Sequence, residues 1–258
     1  MKREPVNQAR KERTLRELRR LSDTIADWLA HRRSADCDET GQYIGRHKTQ
    51  LEALESVLLG AADQLRAALN AVATDQDTGV VYDQCRDYDQ AIVWLQRLWE
   101  FFKAKFDQRD DTARLGPLLK SADEVVWSCY RQAFVRAENR EPGLKQGPAP
   151  LAFIEPEYSP AALESDKPLP SSLGLGADID FLDDYLKSLP IPIIRLPPWC
   201  VEAPWWLVYV GHEVGHHVQH DLGLVGYFRE GAGGRRAGRR RAGGGREAVG
   251  RVGGGNLR

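Results

Sequence analysis

Long apolar runs are missing from this chain of 258 residues. No stretch approaches the roughly 18 consecutive apolar residues of a membrane-spanning helix, so no span and no membrane partner are expected. An apolar leader is missing too. Met1-Lys2-Arg3-Glu4-Pro5 runs straight into charged residues, so no secretory signal is expected. Cysteine is sparse. Cys37, Cys85, Cys129 and Cys200 are isolated, with no CxxC pair and no disulfide-dense spacing. Reduced thiols in a cytoplasmic protein follow as the expectation. No internal repeat of fixed period is found.

What is present in the first half is helical periodicity. Leu15, Leu18, Ile25, Trp28 and Leu29 recur at helical spacing over residues 8–33. Ile44, Leu51, Leu54, Val57, Leu58, Leu65, Ala68 and Leu69 do so over 44–73. Ile92, Leu95, Leu98, Trp99, Phe102 and Phe106 do so over 82–107. Ser121-Ala122-Asp123-Glu124 matches a capping box, with Ser121 as the expected N-cap of a further helix. The apolar face of that helix is expected to use Val125, Cys129, Tyr130, Ala133 and Phe134. The expected fold class is mostly α, with a helical bundle over 1–140.

The composition then shifts. Residues 141–176 are rich in proline and glycine and read as a linker or a long ordered loop. A short helix from Ile179 to Leu189, capped by Asp178, is expected next. Pro190, Pro192, Pro197 and Pro198 then force an extended path through Ile191, Ile193, Ile194 and Leu196.

Residues 177–230 hold the chemistry. His212-Glu213-Val214-Gly215-His216 is an HExxH pattern that follows the apolar run Trp205-Trp206-Leu207-Val208-Tyr209-Val210. Pro204 suits a first helical turn, and Gly223 suits a stop, so a helix over about 204–221 is expected. On it, His212 and His216 differ by about 40° around the axis and about 6 Å along it. Both imidazoles can therefore reach one zinc ion as metal ligands. Glu213, about 100° from His212, can approach the ion's open position without being a ligand. There it can act as the catalytic base that moves a water proton. Gly211 and Gly215 cost about 1 kcal/mol each relative to alanine in a helix. They point to a backbone passing close by the metal face, or to packing against a neighbouring helix.

These residues resemble the zincin (HExxH) zinc metallopeptidase signature, over about residues 203–222. The resemblance implies a Zn²⁺ cofactor, His212 and His216 as ligands, Glu213 as general base, and a peptide or protein substrate. The longer metzincin pattern fails: Gln219 stands at its Gly and Leu222 at its third His. The gluzincin-like pattern is left, whose third ligand is a Glu on a later helix. His217 and His220 are extra histidines, with Asp221 a candidate carboxylate to orient one of them.

No such Glu helix is visible after Gly223. Residues 231–258 carry eight Arg against the single acid Glu247, in a Gly/Arg low-complexity tail without a helical apolar face. Three origins stay open for this tail. One is a nucleic-acid-binding arm, though it lacks interleaved aromatics, and nucleic acid enters as a partner only if the tail is genuine. Another is a tail without function. The third is out-of-frame reading of a GC-rich gene, which would leave a truncated, partial metallopeptidase-like region. The expected function is therefore a zinc-dependent peptidase, incomplete as the chain stands. The alternative is a non-catalytic helical interaction module with a degenerate metal site.

Overall fold

The computed structural model describes residues 3–36, 40, 45–139, 147–155, 161–163 and 190–224. They belong to two compact units, Met1–Val218 and Gln219–Arg258. The expected helix from Ile179 to Leu189, Ile44 of the second apolar stripe and the tail with Glu247 lie outside the described residues.

The first unit is built on three long helices, α1 (Arg3–Ala35), α2 (Lys48–Ala71) and α3 (Thr78–Asp107). Helix α1 has no glycine, and its one proline, Pro5, falls in the first turn, where its missing N–H leaves no intrahelical bond unmade. Leu18, Ile25 and Leu29 of α1 meet Leu51, Leu58 and Leu65 of α2 and Leu95, Phe102 and Phe106 of α3 in one core. Each such burial is worth about 1.5–3 kcal/mol. The edge of Trp28 meets the Phe106 ring, with centroids 5.7 Å apart and planes at 78°. The periodicity of all three segments agrees with this core. Ala68 and Val57 are only partly buried, on the flank of the α2 stripe.

Helix α1 also closes the turn between α2 and α3. Asn7, fully buried, donates through Nδ2 to the carbonyls of Thr74 (3.0 Å) and Gln76 (3.1 Å). Lys11 Nζ donates to the carbonyls of Asn70 (2.8 Å) and Val72 (2.9 Å). The Lys11 bonds satisfy carbonyls at the end of α2, and the Asn7 bonds satisfy carbonyls of the turn itself. Asp77 then caps α3, accepting from the Gly79 amide at 2.9 Å.

A 3₁₀ turn, Gln108–Asp110, leads to α4 (Leu115–Glu138). Here one expectation is corrected. Ser121 is not an N-cap: the helix starts at Leu115, and Ser121 Oγ donates to the Pro117 carbonyl at 3.0 Å from inside it. Proline in the first turn is the signal that the Ser-x-x-Glu match obscured. The buried face is Leu119, Ala122, Asp123, Val126, Tyr130 and Phe134, whereas Cys129 is exposed and Val125 and Ala133 are half-buried. Gly116 is required. A Cβ there would lie 2.7 Å from the Arg109 carbonyl oxygen and 2.8 Å from that of Asp111. Gly116→Ala is expected to destabilise the protein by about 1–3 kcal/mol, measured by urea unfolding.

The proline-rich second half contributes a small sheet rather than loop alone. Strands β1 (Leu151–Ile154), β2 (Ala161–Leu163) and β3 (Ile193–Leu196) lie in the order β1-β3-β2. β1 is parallel to β3, with Leu151 opposite Ile193, and β2 is antiparallel to it, with Ala161 opposite Arg195. Leu151, Phe153 and Ile193 join the core of the bundle. The Gln108 side chain bonds both backbone groups of Ile154, donating to its carbonyl and accepting from its amide, each at 2.8 Å. Two 3₁₀ turns, Pro198–Val201 and Pro204–Trp206, then lead into α5 (Leu207–Asp221). No helix among the described residues is long and apolar enough to cross a membrane.

Candidate metal centre

Helix α5 begins three residues later than the proline suggested, because Pro204–Trp206 is wound as a 3₁₀ turn. Aromatic rings fix this entry. Trp206 stacks on Tyr209 (4.6 Å, 29°), and Trp199 meets Trp206 edge-on (6.2 Å, 67°). At the far end Gly223 takes φ 64°, a left-handed conformation that suits glycine, and its amide bonds the His220 carbonyl at 2.9 Å.

The i, i+4 spacing brings His212 and His216 together. Their Nε2 atoms are 3.2 Å apart, and their rings lie at 87° with centroids 4.7 Å apart. Both side chains are exposed, whereas Glu213 between them is 9% exposed. Glu213 makes no hydrogen bond or ion pair among the described residues. His217 is buried on the opposite side of the helix, with Val210 and Val214. His220 Nδ1 lies 3.1 Å from Asp221 Oδ1, so that carboxylate is placed to orient that imidazole.

The geometry admits a metal at the histidine pair. Two nitrogens at zinc's ligand distance of about 2.0–2.1 Å and a tetrahedral angle are about 3.3 Å apart. The observed 3.2 Å is close to that edge. Among the described residues, no group of three or more His, Cys, Asp and Glu side chains is arranged to hold a metal ion. Cys200 is buried, and burial pushes its thiol up to about 11, so it stays protonated. The glycines are less constrained than expected. A Cβ on Gly211 would rest at an ordinary 3.9 Å from Val125 Cγ1 of α4, and one on Gly215 would meet nothing within 4 Å among the described residues. Gly211 lies beside α4, but no close approach there requires a glycine. Nothing described accounts for Gly215.

A second polar centre was not visible in the sequence. His47, at the start of α2, is enclosed by two carboxylates. Its Nδ1 lies 3.6 Å from Asp36 Oδ1 and its Nε2 lies 3.2 Å from Asp123 Oδ2. The His47 amide also donates to Asp36 Oδ2 at 2.9 Å. Arg109 grips Asp123 with a two-pronged contact, Nε to Oδ2 at 2.9 Å and Nη2 to Oδ1 at 2.6 Å, and donates further to the Ala152 carbonyl at 2.9 Å. Burial opposes the charge on Asp123, but Arg109 and His47 outweigh it and hold the carboxyl far below the usual range. Burial likewise opposes the charge on His47, and Asp123 and Asp36 together raise it above its ordinary value despite Arg109. These residues come from separate segments between 36 and 123, so no local spacing announces them.

Comparison with protein-family models, with curated proteins and with solved structures found no match for this chain.

Proposed function

We propose that α5 carries a zinc centre of the zincin type and that the protein hydrolyses peptide bonds. His212 and His216 would hold the metal, and Glu213 would act as general base. One observation carries the reading: on one helix, two exposed imidazoles have their nitrogens 3.2 Å apart, the spacing of zinc ligands, and Glu213 between them in sequence has no hydrogen-bond or ion-pair partner among the described residues. Zinc, when bound, supplies Lewis acidity that polarises a carbonyl and makes water more acidic. The chain's own part is to place and move a proton. Glu213 can accept one from water at its Oε atoms and return it to the leaving amine. The exposed imidazoles leave room for a substrate to approach. A catalytic zinc normally has three protein ligands, so a third is part of the proposal and is unassigned.

The interaction-module reading has its own support. Trp205, Val208 and Tyr209 are 69%, 76% and 45% exposed, and Val208, Tyr209, His212 and His216 share one face of α5. Such an apolar face suits a protein partner.

Metal content separates the two. The full chain, loaded with Zn²⁺ and dialysed, is expected to retain one zinc per chain by atomic absorption. His212→Ala is expected to lose it with unchanged far-UV circular dichroism, since His212 is exposed. Metal-free wild-type protein, or equal retention in His212→Ala, would sink the zinc reading.

A further inference from the structure

Beside the His47 centre lies a cavity of about 360 Å³, bounded by the end of α1, the start of α2, the 3₁₀ turn and α4. Its volume is in the range of small-molecule sites. Its hydrogen-bonding groups are unevenly used. The acceptors along its walls are engaged: Asp36 takes the His47 amide, Asp123 takes Arg109, and Asp110 takes Arg32 Nη1 at 2.9 Å. Donors at its mouth are not. Lys120, on the exposed side of α4, makes no hydrogen bond or ion pair among the described residues, and the same holds for the hydroxyl of the exposed Thr112. Among the described residues Arg46 is held by one ion pair, with Glu124, whose side chain is 48% exposed. Such exposed pairs contribute about 0–1 kcal/mol, and a guanidinium has five N–H donors to share.

A ligand that supplies acceptors and negative charge would satisfy this lining, whereas a cation would find its carboxylates already taken. We propose that the cavity binds a small oxyanion, through a phosphate or carboxylate group, with Arg46, Lys120 and Thr112 as its contacts. The buried ion cluster keeps Arg46 and Lys120 in register by tying α2 to α4 through His47 and Asp123. The site is independent of the histidine pair on α5.

Isothermal titration of the full chain at fixed ionic strength tests this, with inorganic phosphate, phenyl phosphate and benzoate as probes. Saturable one-to-one binding of at least one probe is expected. Lys120→Gln and Arg46→Gln should each weaken it about tenfold, the effect of losing one charge-assisted contact. Arg66→Gln, at an exposed pair with Asp63 on α2, should leave it unchanged. Binding of the phosphates alone, or of benzoate alone, supports the site and fixes the head group. Absence of binding by all three overturns it, as does equal affinity in Lys120→Gln and Arg46→Gln.

Discussion

Glu213→Gln is expected to lower zinc-dependent peptide hydrolysis by about 10²- to 10⁴-fold while the bound zinc is retained. The substitution keeps the size of the side chain and removes only its basicity. Glu213 sits between the two histidines in sequence but is turned inward from them, so it is not placed to share their role as ligands. Steady-state hydrolysis of a peptide library, read beside zinc content, checks this. A glutamine variant that keeps full activity would show that the proton moves elsewhere. One that loses zinc would make Glu213 a ligand instead of a base. Loss of activity with the bound zinc kept is what a merely structural glutamate would not produce.

Asp123→Ala is expected to cost about 3–5 kcal/mol of folding stability, because it leaves Arg109 and His47 charged and buried without their shared partner. Urea unfolding measures it, and a loss below 1 kcal/mol would show the cluster to be replaceable by water. The pH dependence follows from the two shifts. Asp123 is depressed below its usual 3.8, so its contribution is fully present above that value and is lost as pH falls. His47 is raised above its usual 6.5, so its contribution is fully present below that value and is lost as pH rises through its folded pKa. The cluster therefore stabilises most between about pH 4 and 6.5. In Asp123→Ala that maximum should flatten.

The three long helices were legible because their apolar residues repeat over many turns, as with Leu51, Leu54, Leu58, Leu65 and Leu69. The start of α4 was not. Ser121 and Glu124 reproduce a capping box by composition, and only Pro117 marked the true first turn. Strand β1 is four residues long and buried at its first three, so it shows no alternation to read. At the proposed zinc site, His212, Glu213 and His216 were legible because a helix brings i and i+4 together without help from the rest of the chain. The inward turn of Glu213 was not, since it depends on which face of α5 the protein covers. The His47 centre depends on tertiary folding throughout, and its residues have no common spacing.

The 2.8 Å bonds between Gln108 and Ile154 have a consequence for solution behaviour. β1 is an edge strand, and a free edge invites another molecule to add a strand to it. Gln108 occupies the amide and carbonyl of Ile154, and Arg109 occupies the carbonyl of Ala152. Two consecutive side chains thus imitate the missing neighbour. The three backbone groups they engage are no longer free for a strand of another molecule, which opposes pairing at that edge.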